Sequence, residues 1–444
     1  MSSTDDAKLL KELFNALPDY APGGVDISAT YVNRADDDEH DAVANLYRLI
    51  DWSPQASDSY LFSGLRGCGK TTELNRLVKE LNDGGIVAFY SDASAYLNLN
   101  DPQLTLAELL MAALAGLSDA VRQRYGANLL QDTIWQRTRR LLKSNVELKP
   151  TLSTSAGAAA IEVEATLREN PDFRKQLIDF ARGSSDFYRE AHRFAEDVAK
   201  IVRAQSATEK IVLVVDSLER LSAPAGDENL LFDSLKQVFF NEPTRLRFPC
   251  FSVVYAAPPY LHAVLPNVGG GFTGSVTLPN FKVIKRPSKP GGEPARNAAG
   301  VDKMVTVLSQ RFAGWEALIS RAVVEHLAWM SGGNVRRYFS LVRGVALKAA
   351  LGKARLPVEK ADAQPVRDAI NDAGQPLRWL IGEDHKWLNR VMRGEDIAAH
   401  IEAIDKDLPS IIRLFDHSLV LDYQNGEVWH QVPPLVREHV QHDG

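Results

Sequence analysis

The stretch that decides the fold is residues 64–71, which read GLRGCGKT and match the pattern G-x-x-x-x-G-K-[ST] in full. Residues 60–63 before it have the pattern of a short apolar strand, and residues 70–81 after it have that of a helix. Glycines let such a turn curl so that its N–H groups point at phosphate oxygens, and the N-terminus of the following helix adds positive partial charge. The stretch therefore predicts a triphosphate site, with a glycine-rich turn that binds nothing as the alternative.

Each polar side chain in this turn has an expected role. Lys70 supplies a charge for the β- and γ-phosphates, the Thr71 hydroxyl ligates Mg²⁺, and Thr72 donates to an α-phosphate oxygen. The guanine-reading pattern N-K-x-D is absent from the sequence, so we expect ATP with Mg²⁺ as the cofactors. The predicted contacts in this loop are Gly64, Arg66, Gly67, Cys68, Gly69, Lys70, Thr71 and Thr72.

A second apolar run supplies the acidic group that such a site needs. Residues 211–216 read IVLVVD, five aliphatic residues and then a carboxylate, as at the C-terminal end of a buried parallel strand. We expect Asp216 to ligate Mg²⁺ from a strand neighbouring that of the phosphate loop, and Glu219 to polarise the attacking water. The alternative to this catalytic role is that Glu219 is a surface residue that pairs with Arg220. The predicted catalytic residues are therefore Lys70, Asp216 and Glu219.

Strand and helix patterns alternate along the chain of 444 residues up to about residue 284, which indicates an α/β fold with a parallel sheet. Helices are expected at 102–117 and 120–142 within this part. After it, helical patterns lead to Asn425-Gly426, a turn signal of the hairpin in a winged helix. The expected division is an N-terminal segment at 1–57, a P-loop core at 58–284 with a β-hairpin and helix insertion at 146–204, a linker at 285–300, a helical lid at 301–374 and a winged-helix-like domain at 375–444.

The composition excludes several classes of protein. Lys and Arg number 51 against 57 Asp and Glu, and there are only two cysteines, so neither a general polyanion binder nor a disulfide scaffold is expected. The first ten residues lack a signal-peptide pattern, and no apolar run approaches the ~20 residues of a membrane span, so we expect a cytoplasmic protein without a membrane partner. Residues 376–444 carry seven basic and twelve acidic residues, which disfavours DNA as the partner of this domain.

Four local features resemble the AAA+ and STAND groups of P-loop ATPases, nearest to origin-recognition-type, KAP-type and STAND members. Residues 216–220, DSLER, resemble the acidic-strand motif of KAP and STAND proteins. Residues 31–34, YVNR, are similar to the entry motif that cradles adenine, and residues 331–336, SGGNVR, resemble the sensor-2 element that opens the lid helix. The winged-helix candidate is the fourth feature. The resemblance implies further nucleotide contacts for Tyr31, Val32, Arg34 and Arg336.

Two departures from the family pattern concern hydrolysis. The strand at 251–258 should end in a polar residue near the γ-phosphate but ends Ala-Ala-Pro, which leaves Tyr255 or Ser252 as candidates. Residues 259–275, where related rings carry an arginine finger, contain no arginine, and Arg245 and Arg247 are the substitutes at hand. Because such a finger contributes about 10³–10⁵ in rate, its absence predicts an ATPase with low intrinsic turnover.

The resemblance and these departures together imply a nucleotide switch that acts on a protein partner or through self-association, by analogy in signalling or bacterial defence. One alternative is a DNA-loading AAA+ ATPase of the origin-recognition or transposition type. Another is an ATP-binding scaffold without turnover.

Overall fold

The elements of the protein come from a computed structural model, which describes residues 3–18, 30–35, 40–130, 132–145, 166–206, 208–265 and 267–440. In chain order they begin with α1 (Ser3–Ala16), α2 (Ala42–Trp52), β1 (Ser59–Ser63), α3 (Lys70–Asp83), β2 (Val87–Asp92), α4 (Leu106–Tyr125), α5 (Ile134–Asn145), α6 (Thr166–Glu169), α7 (Pro171–Gly183), α8 (Asp186–Ser206), β3 (Ile211–Asp216), α9 (Glu228–Lys236), β4 (Ser252–Ala257), α10 (Tyr260–Val264) and β5 (Gly274–Thr277). They continue with β6 (Ile284–Lys285), β7 (Ala295–Arg296), α11 (Ala298–Arg311), α12 (Arg321–Met330), α13 (Val335–Leu351), α14 (Gln364–Gly374), α15 (Gly382–Met392), α16 (Ile404–Asp416), β8 (Leu421–Asn425), β9 (Glu427–Gln431) and α17 (Pro434–Val440). The expected β-hairpin of the insertion falls on residues 146–165, outside the described residues.

The expected α/β fold is confirmed by a five-stranded sheet in the order β2-β3-β4-β1-β5. The strand pairs β2–β3, β3–β4 and β4–β1 are all parallel. The expectation that the strand of Asp216 neighbours the strand before the phosphate loop is wrong, because β4 lies between β3 and β1. Pairing order depends on contacts between distant residues, and the apolar pattern of a single strand does not specify its neighbours.

Helix α4 differs most from its sequence prediction. Two helices occupy this stretch, as expected, but α4 runs through the expected break at 118–119 and the break lies at residues 126–133, before α5. Thr105 and Glu108 form a capping box that starts the helix, and it ends at Gly126, where φ is 109°. The polar pair in the middle does not break it, because Ser118 is buried and the Asp119 carboxylate accepts a hydrogen bond from the Tyr96 hydroxyl.

The chain divides into two compact units. Residues 43–63 and 74–276 form the sheet unit, which holds β1 to β4 and the helices packed on them. Residues 1–42, 64–73 and 277–444 form the helical unit, which therefore includes the phosphate loop itself. The sequence had placed the loop with the sheet and the boundary after residue 284. Within the described ranges, no helix combines the length and the apolarity that a bilayer crossing needs.

The helical unit includes residues 301–444, where the sequence predicts a lid and a C-terminal domain. The sequence pattern predicts a helix at 334–351, and α13 begins at Val335 with Asn334 as its N-cap. The expected hairpin is confirmed: β8 and β9 pair antiparallel around Gly426, where φ is 80°. The segment 285–300, expected as a linker, contains the antiparallel pair β6–β7 and the start of α11.

Gly116 offers a test of how closely α4 packs on the sheet. A Cβ at this position would lie 1.8 Å from Ser91 Oγ and 2.5 Å from Ser91 Cβ. We therefore expect Gly116→Ala to lower the free energy of unfolding by about 1–3 kcal/mol, although alanine favours helix, because the clash exceeds the propensity gain. The measurement is urea denaturation.

Gly183→Ala is the matched control, since a Cβ there has no atom within 4 Å. Its free energy of unfolding should stay unchanged or rise by a few tenths of a kcal/mol, on the order of a compatible Gly→Ala change. Equal stability of the Gly116→Ala and Gly183→Ala variants would contradict the close contact.

Candidate functional site

The phosphate loop has a backbone that only glycine tolerates at two positions. Gly67 and Gly69 have φ of 78° and 102°, in the region that side chains disfavour. A Cβ at Gly67 would lie 2.6 Å from Arg336 Cβ, and one at Gly69 would lie 2.9 Å from a guanidinium nitrogen of Arg34. The loop thus needs glycine for its conformation and for the close approach of its neighbours.

Lys70 sits at the first residue of α3 with its ammonium folded back over the loop. Its Nζ donates to the carbonyl oxygens of Gly64 at 2.7 Å and Leu65 at 3.0 Å, and the residue is only 4% exposed. Thr71 and Thr72 follow in the first turn of the same 14-residue helix. A buried cation, glycine-dependent backbone and a helix N-terminus form a cradle whose chemistry fits a polyphosphate.

The carbonyl groups of the loop are held by two other segments of the helical unit, an arrangement we name the loop junction. The Arg66 carbonyl accepts hydrogen bonds from Asn334 Nδ2 at 2.9 Å and Ser418 Oγ at 3.1 Å. The Gly67 carbonyl accepts one from the backbone N–H of Arg336 at 3.1 Å. The loop junction therefore joins the phosphate loop to the start of α13 and to the turn between α16 and β8.

Further contacts fix the turn after α16. Arg337 donates to the carbonyls of His417 at 3.2 Å and Ser418 at 2.9 Å. The guanidinium of Arg66 lies 3.8 Å from the carboxylate of Asp416. Ser418 itself has a φ of 53°, a left-handed conformation that a serine adopts at some cost. Three side chains and one strained residue thus define how the C-terminal segment meets the loop.

Arg336 lies at the predicted lid position, with its backbone on the loop. Its Cβ faces Gly67, and its side chain is exposed. The predicted phosphate-facing role of this guanidinium stays a prediction.

The residues predicted to contact adenine surround a carboxylate that the sequence analysis did not single out. The hydroxyl of Tyr31 donates to Glu73 Oε2 at 3.2 Å, and Arg34 Nε donates to Glu73 Oε1 at 3.1 Å. Arg34 also donates to the Pro279 carbonyl at 2.8 Å and lies over the Phe281 ring at 4.8 Å. Glu73, in the first turn of α3, is 2% exposed.

Through these contacts, residues 31–34 pack against α3, the helix that starts with Lys70. Val32, between the two bonded residues, is half-buried. The only sequence signal for Glu73 was its position, as a carboxylate in the first turn of the helix after the phosphate loop.

In the sheet unit, Asp216 is fully buried at the end of β3. Its Oδ1 accepts a hydrogen bond from the backbone N–H of Ser217 at 2.7 Å, and its Oδ2 accepts one from the hydroxyl of Tyr90 at 2.7 Å. Burial and the nearby Asp216 carboxylate raise the pKa of Tyr90, which keeps the phenol protonated as a donor. Tyr90 is the second residue that the sequence analysis missed.

Glu219 lies in the turn Leu218–Arg220 that follows β3. It is only 6% exposed, so the alternative that it is a surface residue is wrong. A buried carboxylate three residues after Asp216 is compatible with the expected role in activating water.

The residues considered as the γ-phosphate sensor and as the arginine finger make contacts within the sheet unit. The hydroxyl of Tyr255 donates to the Leu246 carbonyl at 2.8 Å, and Ser252 Oγ accepts from the backbone N–H of Asp58 at 3.2 Å. Arg245 pairs with Glu242 at 2.5 Å and stacks on a tyrosine ring. Arg247 donates to a backbone carbonyl at 3.3 Å.

The oxygen donors predicted for the metal suit Mg²⁺, which prefers carboxylates and hydroxyl oxygens. Asp216 offers a carboxylate that is fully buried and held by two hydrogen bonds. Thr71 offers a hydroxyl beside Lys70 at the start of α3. The chemistry of this donor set fits the cofactor expected from the sequence.

No protein-family model matches this chain, and no curated protein does. Among solved structures, the chain is similar to Cdc6p from Pyrobaculum aerophilum, with 14% identity over 94% of this chain and 99% of that one at a TM-score of 0.37. The Aeropyrum pernix ORC2 protein, in ADPNP–ADP complexes, has 14% identity over 98% of each chain at 0.38. The Thermotoga maritima RuvB Holliday junction branch migration motor has 13% identity over 95% of this chain and 97% of that one at 0.35.

Proposed function

We propose that this protein is an ATP-binding, slowly hydrolysing molecular switch of the AAA+/STAND type that acts on a protein partner. The observation that carries the proposal is the loop junction. Within one compact unit, the phosphate loop shares hydrogen bonds with the lid helix α13 and with the C-terminal segment. A change in the loop on nucleotide binding therefore acts directly on both.

In the proposed reaction, Lys70 exchanges its bonds to loop carbonyls for the β- and γ-phosphates. Thr71 and Asp216 supply the protein's oxygen ligands to Mg²⁺, which, when bound, neutralises charge on the phosphates. Glu219 accepts a proton from the attacking water, and its burial keeps it out of bulk solvent. Tyr31, Val32 and Arg34 orient the adenine end, while Arg336 approaches the phosphates from the lid.

The contacts of Tyr255, Ser252 and Arg245 within the sheet unit support slow turnover. Their polar groups are engaged by neighbouring backbone or acidic groups. They are therefore poorly available to stabilise charge that develops on the γ-phosphate. An enzyme that holds ATP for long periods suits a switch better than a motor.

A protein partner is favoured over DNA by the pairing of basic residues. In the C-terminal segment, Arg390 and Arg413 contact carboxylates, and Arg437 contacts Glu293. In the sheet unit, Arg137 pairs with Glu190 and Asp197. Each such pair must be broken or shared before its guanidinium can neutralise a DNA phosphate. The winged-helix-like segment is therefore proposed as a docking module for protein, and salt-dependent binding to duplex DNA would instead support the DNA-loading alternative.

Nucleotide binding should be visible as thermal stabilisation. At 100-fold excess over its dissociation constant, Mg·ATP should stabilise the fold by about 2.7 kcal/mol through mass action. Lys70→Ala should abolish the shift, because the buried ammonium is the charge that meets the phosphates. The measurement is a melting curve with and without Mg·ATP.

Lys79→Ala is the matched control, since this exposed lysine lies on the same helix and pairs only locally with Asp83. It should keep the full stabilisation. An unchanged melting temperature of the wild-type protein on addition of Mg·ATP would contradict the nucleotide assignment.

Hydrolysis should depend on Glu219. We expect Glu219→Gln to retain Mg·ATP affinity and to lower kcat by about 10²–10⁴-fold, the usual contribution of a general base. Single-turnover hydrolysis of radiolabelled ATP measures the step. Normal turnover in this variant would remove Glu219 from the mechanism.

The loop junction should contribute to affinity. Ser418→Ala removes one of the donors that pre-form the loop, so we expect ATP to bind about 2- to 12-fold more weakly, from about 0.5–1.5 kcal/mol per hydrogen bond. Thr306→Ala is the control, because its hydroxyl also donates to a carbonyl, at 2.9 Å, on α11 of the same unit. Equal affinities for both variants, measured by calorimetry, would show that the junction does not support the loop.

A further inference from the structure

The hydrogen bond between Tyr90 and Asp216 has no part in the function described so far. Tyr90 lies on β2, which pairs in parallel with β3 so that Tyr90 stands opposite Val214 and Asp92 stands opposite Asp216. The tyrosine therefore shares a face of the sheet with Asp216 and reaches it diagonally across two residues. The distance from its hydroxyl to Asp216 Oδ2 is 2.7 Å.

Donors from two different segments, strand β2 and the turn after β3, hold different oxygens of Asp216. The backbone N–H of Ser217 donates to Oδ1, and Ser217 has a left-handed φ of 73° that aims this bond. Tyr90 donates to Oδ2. Since the carboxylate is fully buried and one bond holds each of its oxygens, both bonds restrict its rotation.

The other acidic group at this edge of β2 is held elsewhere. The Asp92 carboxylate accepts a hydrogen bond from the backbone N–H of Ser94 at 2.9 Å and caps the turn after β2. It is therefore engaged with its own turn, and Asp216 is the carboxylate that Tyr90 orients.

We propose that Tyr90 is a positioning residue for metal binding, which acts through Asp216 by fixing the orientation of its carboxylate for Mg²⁺. This inference rests on the proposed function, because it takes Asp216 as the metal ligand. Partners that orient a ligating carboxylate from outside typically account for 10–100-fold in metal affinity. The hydroxyl of Tyr90 has the reach and the geometry for such a role.

The test compares nucleotide affinity with and without the metal in the full-length protein. The dissociation constant of a fluorescent, non-hydrolysable ATP analogue is measured in Mg²⁺ and in EDTA, and the ratio of the two reports how strongly the metal couples to the bound nucleotide. We expect Tyr90→Phe to lower this ratio by about 10–100-fold and to leave the affinity in EDTA unchanged.

Tyr96→Phe is the matched control. It removes a similar bond, from a tyrosine hydroxyl to Asp119 at 2.8 Å, in the same unit. Its ratio should equal that of the wild type.

The outcomes separate this inference from the proposed function. A wild-type protein that binds no analogue in either condition contradicts the proposed function itself. The role of Tyr90 is overturned if the wild-type protein binds the analogue equally well in Mg²⁺ and in EDTA. It is also overturned if Tyr90→Phe leaves the ratio of the two dissociation constants unchanged. Equal losses in Mg²⁺ and EDTA also overturn it, because they show that Tyr90 supports the fold rather than the metal ligand.

Discussion

The carbonyl oxygen of Arg66 is the point on which the helical unit depends. It accepts hydrogen bonds from the N-cap of the lid helix and from the turn that leads into the C-terminal hairpin. The next residue, Gly67, has a backbone and a neighbour that exclude any side chain. A loop held in this way cannot change shape without changing the bonds that hold two other segments, and this is the physical basis of the switch that we propose.

The sequence predicted those parts of the site that are local in the chain. Residues 64–71 and α3 could be recognised because the loop and the helix it starts are encoded by neighbouring residues. The start of α13 was predicted to within one residue from its helical pattern, and Asn334, which was expected inside the helix, is its N-cap. The hairpin around Gly426 followed from the same kind of short-range turn chemistry.

What the sequence could not predict depends on contacts between distant segments. Ser418 meets the Arg66 carbonyl across 352 positions, and nothing near Ser418 indicates that partner. Tyr90 reaches Asp216 only because β2 and β3 pair in one particular register. The order of β4 between β3 and β1, and the position of the break between α4 and α5, were mispredicted because tertiary packing overrides local patterns.

The helical unit holds the buried cation, the glycines and the helix N-terminus, and the sheet unit holds the buried carboxylates of Asp216 and Glu219. The account of both depends on a triphosphate at the loop. Equilibrium dialysis with radiolabelled ATP in the presence of Mg²⁺ tests this most directly. The account predicts about one adenine nucleotide retained per chain. No retained nucleotide would contradict the switch, the metal ligands and the positioning role of Tyr90 together.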